Sequence, residues 1–154
     1  MKKEETVDYH IKVVWHAISR MYNQGGSEKG ITASSGFVLL NIDMEKGTPA
    51  TKIAPLLGME ARSLTRMLKS MEQTGLIYRE KDPSDKRSVR IMLTEEGMKK
   101  RAFARKAVIY FNESVRKKVT DEKLQAFFEV MGAIDQVIEE NRNIEQQLIL
   151  IENE

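Results

Sequence analysis

Residues 58–97 read GMEARSLTRMLKSMEQTGLIYREKDPSDKRSVRIMLTEEG, and two different periodicities run through them. The first half repeats as a helix. Leu64, Leu68 and Met71 recur at steps of four and three, with Met67 alongside, so they share one apolar face. At about 100° per residue, Arg62, Arg66, Lys69 and Gln73 fall about 140–200° away from Leu64. Three cations and an amide thus occupy the side opposite the core, flanked by Ser63 and Thr65. Gly75 is a natural stop. The second half repeats as a strand. Val89, Ile91 and Leu93 alternate with Arg90 and Met92, and residues 76–81 supply the hairpin partner. DPSDKR at 82–87 is the turn, with Pro83 and Ser84 shaping the bend. Thr94 followed by Glu95 and Glu96 opens a further helix, because the hydroxyl caps free N–H groups and carboxylates suit the positive end of the dipole.

Upstream, PATKIAPLL predicts a short helix over about 51–57, with Pro55 near its start, and Gly58 makes the turn into the 61–73 helix. Two helices joined by a tight glycine-containing turn are a helix-turn-helix. Val7, Ile11, Val14, Trp15, Ile18 and Tyr22 form one stripe of an N-terminal helix, which QGGSEKG at 24–30 ends. Thr32 caps a second helix that carries Phe37, Leu40 and Met44 and ends near Gly47. Downstream, a basic helix runs to about Lys118. Thr120-Asp121-Glu122 begins another, with Leu124, Phe127, Phe128, Met131, Ile134 and Ile138 on one side. Beyond Asn141 the stripe shifts phase to Ile144, Leu148 and Ile151, which predicts a kink or a different packing partner.

The 154 residues carry a net charge of only +2, but its distribution is uneven. Residues 50–94 hold 9 basic and 5 acidic groups, residues 95–118 hold 8 and 3, and residues 119–154 hold 2 and 9. A basic middle with an acidic tail points to a polyanion partner for the middle alone. With no cysteine, disulfides and thiolate metal sites are excluded. His10 and His16, the only histidines, do not share a helix face, so no metal site is expected. No catalytic triad, paired carboxylates or glycine-rich phosphate loop is evident, and no cofactor or enzymatic activity is expected. With no apolar run approaching a membrane span and no secretory leader, a soluble cytoplasmic protein is expected.

The order helix, helix, strand, basic turn, strand is that of a winged helix. GMEARSLTRMLKSMEQTGLI followed by DPSDKRSVRIMLTEEG resembles the MarR family of bacterial transcriptional regulators. The matching features are Asp85, Lys86 and Arg87 at the wing tip, the strand Val89–Leu93, and Leu93-Thr94 opening the next helix. The resemblance implies a mainly α fold with a small β-hairpin wing, a winged helix-turn-helix embedded in a helical dimerisation domain. Residues 1–31 would then be a dimerisation helix and loop, 32–94 the DNA-binding region, and 95–154 the C-terminal dimerisation helices. It further implies a homodimer binding a pseudo-palindrome in double-stranded DNA, acting as a ligand-responsive repressor.

On that reading Arg62, Ser63, Thr65, Arg66 and Lys69 face the major groove, and Arg87 enters the adjacent minor groove. Asp85 braces Arg87, while Lys86 and Arg90 neutralise phosphates. Glu60, at the helix N-cap, and Arg62 depart from the smaller residues usual there. The resemblance places an effector pocket at Trp15, His16, Arg20, Phe37, Met44 and Phe111, suited to a small lipophilic or anionic molecule. Two alternatives stay open: a winged helix that binds protein rather than DNA, and a small ligand-binding carrier.

Overall fold

The computed structural model describes residues 2–85, 87–141 and 144. The chain forms two compact units, residues 1–109 and residues 110–154. In the first unit α1 (Val7–Gly26), α2 (Ala33–Leu40), β1 (Thr48–Pro49), α3 (Ala50–Leu56), α4 (Ala61–Gln73), β2 (Ile77–Lys81) and β3 (Val89–Leu93) follow in order. Helix α5 (Glu95–Arg116) begins there and crosses the boundary, and α6 (Asp121–Glu140) lies in the second unit.

On α4 and β3 the core of the first unit sits where the sequence periodicity places it, whereas on α2 it is Val38 and Leu39 that are buried while Phe37 and Leu40 are half-buried. Leu64, Leu68 and Met71 of α4 are buried against Val38, Leu39 and Ile42, against Ile53 and Ala54 of α3, and against Leu76, Ile77, Ile91 and Leu93. Met67 packs on this cluster from its edge. The sheet is antiparallel in the order β1-β3-β2, with Ile77 opposite Leu93 and Lys81 opposite Val89. The alternation in β3 therefore buries Ile91 and Leu93 but leaves Val89, at the outer end of the hairpin, exposed.

Helix α1 ends at Gly26, inside the QGGSEKG stretch expected to stop it, although Gly25 and Gly26 are still helical. Tertiary contacts outweigh the poor helix propensity of glycine there, since Ile31 N–H donates to the Gly26 carbonyl at 3.2 Å and Ala33 N–H to Asn23 Oδ1 at 2.8 Å. Helix α2 ends at Leu40, so Met44 lies outside it and is exposed. Asn41 and Asp43 divert the chain: the Asn41 amide donates to the Phe37 carbonyl, and Asp43 Oδ1 accepts from the N–H groups of Glu45 and Lys46. That turn delivers Thr48–Pro49 to β3 as a third strand absent from the sequence reading. Pro55 is the penultimate residue of α3 rather than near its start, and the i−4 carbonyl it leaves without a donor belongs to exposed Thr51.

The helix-turn-helix closes as its sequence suggests. Met59 N–H reaches back to the Ala54 carbonyl at 3.0 Å, with Gly58 between them at φ +58, where a side chain would be strained. At the other end of the winged helix, Thr94 Oγ1 accepts from Gly97 N–H at 2.9 Å and donates to the Gly75 carbonyl at 2.6 Å. Any side chain at Gly97 would collide with the Leu76 carbonyl oxygen. In the second unit Thr120 caps α6 by accepting from Lys123 N–H. Phe127, Phe128, Val130, Val137 and Ile138 of that helix are all exposed. The phase change expected at Leu148 and Ile151 lies outside the described residues.

Candidate nucleic-acid interface

Helix α4 separates its faces cleanly. While Leu64, Leu68 and Met71 point inward, Arg62, Ser63, Arg66, Lys69 and Gln73 are exposed. Among the described residues, the side chains of Arg62, Ser63, Arg66 and Lys69 make no hydrogen bond or ion pair. Arg79, on neighbouring β2, behaves differently and is tied to Glu72 at 3.0 Å. Thr65 is exposed too, but its hydroxyl already donates to the Ala61 carbonyl of the same helix at 2.8 Å. Glu60 occupies the N-cap without a side-chain capping bond, so its carboxylate stands exposed at the helix entrance.

The wing is built from its base upward. Asp82 N–H donates to the Ser88 carbonyl at 3.0 Å and Ser88 N–H to the Asp85 carbonyl at 2.9 Å, closing the turn. Asp85 does not brace the guanidinium of Arg87. Its Oδ1 accepts instead from the Arg87 backbone N–H at 3.0 Å, which shapes the turn while the Arg87 side chain stays exposed. Lys86 lies outside the described residues.

Arg90 requires the larger correction. Rather than standing free for phosphates, its Nε donates to Asp82 Oδ2 at 2.7 Å, and its Nη1 donates to the carbonyls of Lys46 at 3.0 Å and Gly47 at 3.4 Å. Asp82 is 4% exposed, the only charged residue among the buried ones described. Its other oxygen accepts from Ser84 twice, from the hydroxyl at 2.5 Å and the N–H at 2.8 Å. These bonds from Ser84, with Arg90 adding to them, hold the Asp82 carboxyl down at a pKa of about 2. Sequence reading missed Asp82. The available signal was Asp-Pro-Ser, an Asx-turn pattern in which the carboxylate bonds the backbone two residues on.

The expected effector residues are only partly assembled. Trp15 and Phe37 come together, ring centroids 5.9 Å apart, and Tyr22 meets Phe37 edge-on at 6.0 Å. A cavity of about 510 Å³ is lined by Trp15, Ser34, Phe37, Leu56, Leu57, Gly58 and Met59. His16, Arg20 and Met44 do not line it, being exposed on α1 and in the turn after α2. Phe111 belongs to the second unit. The cavity wall carries no charged side chain, so the expected anion-binding Arg20 is not supplied. Among the described residues there is no group of three or more His, Asp or Glu side chains placed to hold a metal ion. No helix among them is long and apolar enough to cross a membrane.

A buried-in, cation-out second helix followed by a three-stranded wing defines a winged helix-turn-helix protein. Residues 31–89 match the model of the MarR family, so the chain carries a MarR-family winged helix-turn-helix region. It is 32% identical over 97 residues to the organic hydroperoxide resistance transcriptional regulator of Bacillus subtilis, covering 63% of this chain and 66% of the relative. It is 33% identical over 82 residues to the regulator TtmR of Methylorubrum extorquens, covering 53% of this chain. The chain thus spans just under two thirds of the first relative and 42% of the second. Its fold is similar to that of the transcriptional repressor CouR of Rhodococcus jostii bound to a 23-mer DNA duplex. That match has a TM-score of 0.72 at 26% identity, over 86% of this chain and 94% of CouR.

Proposed function

We propose that this chain is a sequence-specific DNA-binding transcriptional regulator, a repressor that acts as a homodimer on a pseudo-palindromic site and not as an enzyme. One observation carries the reading: the row Arg62, Ser63, Arg66 and Lys69 stands exposed and without internal partners on the outer face of α4. Unpaired guanidinium groups on a groove-sized helix offer bidentate donors to guanine O6 and N7, and Lys69 offers charge to phosphate. Thr65, its proton already donated within the helix, contributes only as an acceptor. Arg87 at the wing tip is assigned to the minor groove, and Lys86 to phosphate from the sequence alone. The repressor CouR, seen with DNA, supports this docking by analogy. A protein of this role works where the DNA is, in the bacterial cytoplasm.

Selection of bound sequences from a random duplex library tests it. The expected product is a pair of inverted half-sites centred about 34–36 Å, one helical turn, apart. Recovery of no enriched sequence would favour the protein-binding alternative.

The cavity beside Trp15 supports a second element, response to a small molecule. Its uncharged wall, with Ser34 as the polar group, suits a neutral aromatic or lipophilic ligand better than an anionic one. It adjoins Leu56–Met59, the turn leading into α4, so an occupant there would bear on the recognition helix directly. The absence of cysteine excludes a thiol-based oxidative response in this chain.

A further inference from the structure

We infer that Arg90 and Asp82 form a strut that sets the angle of the wing, so that both residues control DNA binding without touching DNA. The inference rests on the DNA-binding reading above and deepens it. Arg90 lies on β3, the middle strand of the sheet, and joins three separate pieces of chain. On one side it holds Asp82, the first residue after β2, where the wing turn begins. On the other it holds the carbonyls of Lys46 and Gly47, in the turn just before β1. Those carbonyls are themselves presented by Asp43, which accepts the N–H groups of Glu45 and Lys46. The backbone ladder of β1 spans only Thr48 and Pro49, opposite Ile91 and Arg90, so two paired residues alone would hold that edge loosely.

A planar guanidinium suits this role. It presents donors in a fixed fork, and a carboxylate and two carbonyls approached from different directions fix its orientation. Ser84 fixes the other end, donating its hydroxyl and its N–H to the same Asp82 oxygen. The wing tip, with Arg87, is thereby referenced to the turn behind α2 rather than left to swing on the hairpin alone. The Arg90 side chain is 24% exposed and that of Asp82 5%, so the pair is held inside the wing base, not on its surface.

The sign of one substitution separates positioning from contact. Asp82→Asn removes a negative charge from a DNA-facing region, so simple electrostatics predicts tighter binding. The strut predicts binding about tenfold weaker to a duplex selected by the wild-type protein, with Arg90→Gln comparable and the double variant no worse than either single. Hydroxyl-radical protection should be lost over the minor-groove segment under the wing, while guanine N7 protection under α4 persists, an outcome that general destabilisation would not give. Ser84→Ala, milder and at an exposed turn, should move both readouts the same way by less. In the free protein, Asp82→Asn should raise amide exchange in 43–48 and in the wing together. Tighter or unchanged binding of Asp82→Asn, or additive losses in the double variant, overturns the strut while leaving the DNA reading intact. A wild-type protein that selects no duplex overturns that reading and the strut with it.

Discussion

Arg66 and Arg90 carry the same side chain into opposite situations. Arg66 projects from the outer face of α4 with no acid or carbonyl engaging it among the described residues, so its donors remain available to a ligand. Arg90 gives Nε to Asp82 and Nη1 to two carbonyls. The difference decides what each substitution does. Arg66→Ala should cost about 1–3 kcal/mol in binding to a selected duplex and flatten the preference at one base position, measured against single-base variants of that duplex. Arg66 was legible in the sequence because helical periodicity alone puts it opposite Leu64. Arg90 was not. Its strand alternation is visible, but its partners are eight residues back at Asp82 and forty-four back at the Lys46 carbonyl, and no local pattern announces either.

The elements show the same division. Helix α4, the hairpin and the Thr94 start of α5 follow from periodicity and capping chemistry within a few residues, and all lie close to where the sequence puts them. The end of α2 did not, because Asn41 and Asp43 satisfy backbone groups with their own side chains and turn the chain four residues before Met44 would have continued the stripe. Strand β1 escaped for a related reason: Thr48–Pro49 is too short to show a period and exists only by pairing with β3. The cavity wall was half legible. Trp15 and Phe37 stood out as aromatics, whereas Leu56–Met59 line it through a turn whose orientation only the fold provides.

The wing also carries a pH dependence of its own. The Asp82 carboxyl is held down at about 2, so the folded wing favours its charged form relative to an ordinary carboxylate near pH 4. The resulting stabilisation is fully present above about pH 4 and is lost as pH falls through about 2. An NMR titration of the side-chain carboxyl should place Asp82 well below the exposed Asp residues, and Ser84→Ala should bring it upward. A midpoint in the ordinary range would contradict the bonding described for the wing base.

At the scale of the molecule, the unsatisfied features are apolar. Val7, Ile11, Val14 and Trp15 of α1 are exposed in the first unit, and Phe127, Phe128, Val137 and Ile138 of α6 in the second. Contiguous apolar faces of this kind mark association surfaces. For a homodimer, sedimentation velocity should give twice the chain mass, and Phe128→Glu should shift it toward monomer and weaken DNA binding with it. Unchanged mass would exclude α6 from the interface. The charge pattern fits the same assembly, with the basic excess confined to residues 50–118 and the acidic one to 119–154. The central claim is that the outer face of α4 binds duplex DNA through its free cations, and the salt dependence of affinity tests it most directly. The account predicts that log affinity falls linearly with log salt, by about a thousandfold between 50 and 200 mM if about six phosphates are neutralised and by more if the number is larger, with a shallower slope for Lys69→Ala. An affinity insensitive to salt, or a slope unmoved by that substitution, would contradict it.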